Sequence, residues 1–279
     1  MLWPFRYGFE HAIGRSRICA GRRGVGQCAN DADRCRSSIT QSAWYRVGAT
    51  EVIVRYLGDS GMDMPEDIFT EPDHVDPETL ANLGPLRRLG GVWGGQRGVD
   101  LNPKVDGPER REYFERIDLQ PIDPQANGPQ LFYGLRYHVH INSREEEITF
   151  HDQVGYWLWE PATGLILQTV AIPRGQVAIA AGHATPDATK LILKAERVQT
   201  EYGICSTTFL EQAFRTGSYK IEVDFHSDGS WSYISDTTLM VKGRDSPFLH
   251  RDRNTLVKLA DPGPNPLAQL VREAGRPGK

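Results

Sequence analysis

LFYGLRYHVHIN (residues 131–142) and EITFHDQVGYWLW (residues 147–159) are dense in β-branched and aromatic side chains and read as two long strands. The same signature continues downstream in Gly164–Ile172, Gln176–Ala181, Lys190–Val198, Tyr219–His226 and Ser230–Val241. Turn residues punctuate it at Pro161–Gly164, Pro173–Gly175, Thr185–Asp187 and Ser227–Gly229. Ser-Asp-Gly-Ser between Lys220–Phe225 and Trp231–Ser235 predicts a hairpin. Strands at short, regular spacing with few helices predict an antiparallel sandwich or barrel. From Gly84 to the end there is chain for about ten strands plus turns. A barrel of that size is wide enough to enclose a ligand.

Upstream, Met62–Val75 is acidic and contains prolines, so it reads as a solvated lead-in. Asp76-Pro77-Glu78 predicts a helix start, because Asp accepts from unpaired N–H groups, Pro suits the first helical position and Glu suits the positive end. Leu80, Leu83 and Leu86 supply its apolar side, and Gly84-Pro85 keeps it short. Residues 1–61 differ in kind. They carry nine arginines, no lysine and five acids, for a charge of +4, and three of the four cysteines (Cys19, Cys28, Cys35). Only Glu51–Leu57 looks like a strand there, and the cysteine spacing matches no zinc pattern. The segment reads as a poorly ordered or spurious extension, with the functional start at Met62 or Met64. No apolar core follows a basic start, so a secretory signal is not expected. A single cysteine in the main body makes a reducing cytoplasm the default.

The whole chain has 279 residues and a formal charge of −4, with 39% hydrophobic and 24% charged residues. These values exclude collagen-like, coiled-coil and fully disordered classes. No apolar run approaches the ~18–20 residues of a membrane span. Mild acidity disfavours nucleic acid as a partner.

Eight histidines are present, but no C-x-x-C-H, P-loop, G-x-S-x-G or H-E-x-x-H motif. His138 and His140 share one face of a strand, and with Glu145 they are similar to a cupin metal set enclosed by a barrel. Pro173-Arg174-Gly175 matches the second half of that pattern, but His183 comes too late. His250, in Asp245–Asp252, reads on its own as a turn histidine.

The order of motifs resembles the nitrobindin-type haem-binding β-barrels, whose fold is similar to fatty-acid-binding proteins. Those chains open with a short helix and a Gly-x-Trp-x-Gly-x-Gly strand. Here Gly91-Val92-Trp93-Gly94-Gly95-Gln96-Arg97-Gly98 stands at that place, its last glycine displaced by one. Tyr113–Ile117, Leu131–Tyr137 and His151–Tyr156 follow in the family's order, with Gln153 where the family has a carboxylate. Met240 and Pro247–His250 resemble the region that supplies the axial histidine, although that histidine commonly stands one position later, at Arg251 here. Lys190–Thr216 has no counterpart in compact members; its Glu196, Arg197 and Glu201 read as solvated and its Cys205 as buried or inert.

The resemblance, spanning about residues 78–260, implies an all-β fold. It would be an up-and-down antiparallel barrel of about ten strands with a short N-terminal helix, preceded by a poorly ordered extension. The domain limits are then 1–61 for the extension, 62–76 for the lead-in, 77–262 for the barrel and 263–279 for a flexible tail. It also implies haem b as cofactor, with His250 as the axial ligand to ferric iron. His151 would lie on or near the other face of the pocket. Trp93, Tyr133 and Tyr156 would be strand aromatics near the cavity or the core. Nitric oxide binding, or isomerisation of peroxynitrite to nitrate, is the implied chemistry. Two alternatives stay open: a non-haem carrier of a fatty acid or other apolar molecule, and a cupin-like metal enzyme using His138 and His140.

Overall fold

In the computed structural model, residues 131–142 and 149–159 lie in two antiparallel strands that pair with each other. Residues 42–47, 50–55, 66–143, 149–199 and 201–275 are described. The chain divides into two compact units, Met1–Asp63 and Met64–Lys279. In the first, β1 (Ser42–Val47) and β2 (Thr50–Arg55) form an antiparallel hairpin. The rest of the expected extension, residues 1–41, 48–49 and 56–61, lies outside the described residues.

The second unit opens with α1 (Thr79–Asn82) and a 3₁₀ turn (Gly84–Leu89). Asp76 Oδ1 accepts from the N–H of Glu78 at 2.9 Å, but Glu78 is the N-cap and makes no side-chain cap bond, so Pro77 stands before the helix and not at its first position. Leu83, Leu86 and Leu89 are all buried. Their spacing of three matches the three-residue 3₁₀ repeat better than an α-helix.

Ten strands close the barrel. They are β3 (Gly91–Lys104), β4 (Gly107–Pro121), β6 (Gln130–Ser143), β7 (Thr149–Glu160), β8 (Leu165–Ile172), β9 (Gln176–His183), β10 (Lys190–Glu196), β12 (Phe214–Phe225), β13 (Trp231–Val241) and β14 (Phe248–Ala260). Around the ring the order is β10-β12-β13-β14-β3-β4-β6-β7-β8-β9, and every pairing is antiparallel. One pair, Lys194 with Ala181, joins β10 back to β9. Two short strands sit off the ring: β5 (Gln125–Asn127) on β6 and β11 (Ile204–Ser206) on β9. Two helices complete the unit, α2 (Thr208–Ala213) and α3 (Pro266–Ala274).

The structure changes several sequence expectations. Residues 190–196 are a stave of the barrel and supply its closure, and Phe214–Thr216 open β12, so only residues 197–213 are additional to it. Cys205 is exposed, because β11 pairs on one side only and turns this residue outward. The tail expected to be flexible contains α3. Asn265 ties it down by donating to Pro77 O and Asp123 Oδ1, each at 2.8 Å, and by accepting from Thr79 N. His250 lies within β14 and not in the turn before it.

The aliphatic core sits where β3 begins and β14 ends. The three leucines of the 3₁₀ turn join Trp93, Trp159, Leu191, Leu193 and Leu256 there. Trp93 meets Trp231 edge-on at 5.8 Å. No helix among the described residues is long and apolar enough to cross a membrane.

Candidate functional site

Away from that core, the inward faces of the strands leave a cavity of about 650 Å³. Sites for small ligands and cofactors commonly measure about 300–1,000 Å³. Ile117, Val139, Ile141, Trp157, Val170 and Ile221 make much of the wall apolar, and α2 adds Phe209 and Leu210. Phe209 is largely exposed, so this part of the lining meets solvent. Two exposed cations, Lys104 and Arg174, also belong to the lining.

Along β14, alternation turns His250, Asp252, Asn254 and Leu256 inward and Leu249, Arg251 and Arg253 outward. Arg251 binds Asp236 on the outer face, Nε to Oδ1 at 2.5 Å and Nη2 to Oδ2 at 2.8 Å. His250 lines the cavity. Its Nε2 lies 2.7 Å from Oδ1 of Asp100, a fully buried residue of β3. Asp252 Oδ2 lies 3.7 Å from the same nitrogen.

Two carboxyls this close do not both ionise. Burial pushes Asp252 well above the usual range, and the Asp100 charge adds to the effect. Burial acts on Asp100 too, but hydrogen bonds from His250, Asp252 and Asn102 outweigh it and hold that carboxyl low. For His250, burial disfavours the cation; the Asp100 hydrogen bond and the nearby acids exceed that and raise its pKa. Asp100 is therefore an anionic acceptor, and His250 donates from Nε2. The imidazole has a second nitrogen to offer a metal, oriented from behind by a carboxylate.

His151 lines the cavity from β7, four staves from β14 around the ring. Gln153 Nε2 donates to Tyr137 Oη at 2.7 Å, and Tyr137 donates to Thr169 O at 2.8 Å. The Gln153 oxygen thus accepts from His151 Nε2 at 3.3 Å. Burial, aided by the Arg174 charge, lowers the His151 pKa and favours the neutral ring. Its other nitrogen is then an acceptor.

Below His250, a buried network surrounds Glu115. Tyr233 Oη stands 3.0 Å from both carboxyl oxygens, Asn254 Nδ2 donates at 2.8 Å, and Tyr113 Oη stands 2.8 Å from Tyr233 Oη. Two glycines of the Gly91–Gly98 motif make room for it. A Cβ on Gly95 would lie 2.2 Å from Asn254 Nδ2, and one on Gly98 would lie 2.1 Å from the Tyr113 ring. The displaced last glycine is accommodated too. Gly95 pairs with Glu115 and Gly98 with Tyr113, so Gln96 and Arg97 bulge outward opposite Phe114 alone. The buried Trp231 indole N–H, also on the lining, has no hydrogen-bond partner among the described residues and leaves a donor for a ligand.

Of the residues singled out from sequence, the cavity brings together His250 and His151. Trp93 and Tyr133 are buried in the core, where Trp93 Nε1 donates to Leu89 O at 2.7 Å. Tyr156 is 42% exposed on the outer wall. His138 and His140 also point outward, because Tyr137, Val139 and Ile141 take the inward positions. This contradicts a cupin-like centre inside the barrel, and Glu145 lies outside the described residues. Sequence reading missed Asp100, Asp252 and Asn254. Their signal was faint: an acid between Val99 and Leu101, and the period-two set that extends from His250.

Residues 82–258 match the protein family described as "THAP4-like, heme-binding beta-barrel domain". Among solved structures, the crystal structure of Rv2717c from M. tuberculosis is similar, with a TM-score of 0.47 and 19% identity over 66% of this chain and 99% of that one. No curated protein matches the chain by sequence.

Proposed function

The chain belongs to the THAP4-like haem-binding β-barrel family and takes haem as its cofactor, and on that premise we propose that His250 supplies the axial nitrogen to ferric haem b. The observation that carries this reading is the inward His250 ring backed by the buried Asp100 carboxylate at 2.7 Å. Iron needs a deprotonated ring nitrogen held in one orientation; the carboxylate on the other nitrogen fixes the ring, and metal binding displaces the proton that the raised pKa favours. The remaining features fit a porphyrin. The apolar wall suits a flat macrocycle, and Lys104 and Arg174 suit its carboxylates.

Bound iron supplies the chemistry, for which nitric oxide binding or isomerisation of peroxynitrite to nitrate is the family-type expectation. The chain's residues set the conditions. Ile117, Val139 and Val170 exclude water from the wall. His151, neutral and locked by Gln153, presents a hydrogen-bonding group from across the barrel. Trp93 reaches the site through Trp231, the lining residue it meets edge-on, and Tyr133 packs in the core. The setting proposed is the cytoplasm, with haem or its small ligands as partners.

Hemin titrated into purified protein is expected to give a Soret band. His250→Ala should abolish or shift it, whereas His151→Ala should keep haem bound with an altered spectrum. An unchanged band in His250→Ala would overturn the axial assignment. Displacement of a fluorescent fatty acid without any Soret band would favour the lipid carrier. Mixing the ferric protein with peroxynitrite and measuring nitrate yield tests the enzymatic reading.

A further inference from the structure

The outer face of β6 and β7 carries a cluster that the cavity does not use. The register sets His140 opposite Asp152, with His138 two residues along the same face. Asp152 Oδ2 lies 2.9 Å from His138 Nε2 and 3.7 Å from His140 Nδ1. One ligand atom from each residue lies within 4.8 Å of the other two.

We infer that His138, His140 and Asp152 form a binding site for a divalent late transition metal, of the zinc or copper class, on the outer wall of the barrel.

Spacing is the first argument. Zinc bonds of about 2.0–2.2 Å to nitrogen and oxygen put tetrahedral neighbours about 3.4 Å apart. The 2.9 and 3.7 Å separations bracket that value and the third edge is within 4.8 Å, so side-chain rotations would complete the set. Convergence is the second. A surface hydrogen bond accounts for His138 beside Asp152, but here two imidazoles meet the same carboxylate oxygen. Preorganisation is the third. All three residues stand on two hydrogen-bonded strands inside a closed sheet, so backbone positions are set before a metal arrives.

Ligand type selects the ion. Two imidazoles and one carboxylate suit zinc, copper or nickel, while magnesium and calcium prefer oxygen throughout. Three protein ligands leave a position for water or for a donor from another molecule. The surrounding charge is mixed. On the outer face Asp118 stands beside His138 and Arg116 beside His140, with Arg136 two residues before His138. The site is thus governed by its three ligands and not by a long-range field.

Zinc chloride titrated calorimetrically into the haem-loaded, full-length protein tests this. One zinc per chain is expected, with a Kd below about 100 μM, and an unchanged Soret band. His138→Ala and His140→Ala should each weaken binding by about tenfold or more, and Asp152→Asn should weaken it several-fold. With copper(II), electron paramagnetic resonance should show coupling to two imidazole nitrogens in the wild type and to fewer in either histidine variant. All three side chains face outward, so thermal melts of the variants should follow the wild type. Absence of zinc binding, or binding unchanged in a His138→Ala, His140→Ala double variant, would overturn the proposal.

Discussion

Glu115 is enclosed by Tyr233, Asn254 and the barrel wall, and burial pushes its carboxyl from an ordinary 4.5 up to about 7. Folding therefore takes up a proton between those values. Stability attributable to this group is highest below the ordinary value, falls as pH rises toward 7, and levels off above it. The loss across the window is on the order of 3 kcal/mol. Urea denaturation at pH 5 and pH 8 should show that decline in the wild type and a shallower one in Glu115→Gln; identical slopes would refute it. His250 and Asp252 contribute slopes of the same sign, since both are raised in the fold, and His151 opposes them; the difference between wild type and variant therefore reads Glu115 together with the part of the Asp252 shift that the Glu115 charge causes. At this scale the legible part of the site was its imidazoles, because histidine stands out in any sequence. Their partners were not legible: Asp100 lies 150 residues from His250, and only the β3–β14 pairing brings them together.

The strands themselves were largely legible, because pleat alternation and turn chemistry act over a few residues. Where one residue changes the count, the pairing partner decides. The Gly91–Gly98 stretch carries one residue too many for a regular strand, and a bulge at Gln96–Arg97 restores Gly98 to its place over Tyr113. Gly98→Ala should cost about 1–3 kcal/mol of stability by overpacking, because the Tyr113 ring is fully buried and its hydroxyl is held by Tyr233. Gly217→Ala, whose Cβ would meet only Thr238 O at 3.6 Å, serves as the near-neutral control in the same denaturation series. Helical pieces were harder to read. The leucine repeat signalled a helix but its three-residue spacing belongs to a 3₁₀ turn, and α3 is pinned by contacts of Asn265 with residues about 140–190 positions away, which no local pattern announces.

At the scale of the molecule, every stave of the barrel and every residue of the proposed haem site lies within Met64–Lys279. A fragment starting at Met64 should therefore melt cooperatively and titrate with hemin as the full chain does. Loss of the Soret band in that fragment would show that residues 1–63 contribute to the site. Local chemistry alone was enough to specify an antiparallel all-β domain, its hairpins and the face shared by His138 and His140, because period-two alternation and turn residues need no distant partner. Tertiary structure decided the rest: the closure of β9 on β10 through Lys194 and Ala181, the inward side of β14, and the seating of His250 against Asp100. A shift of one residue in register exchanges inside for outside, and register is set by contacts between strands far apart in the chain.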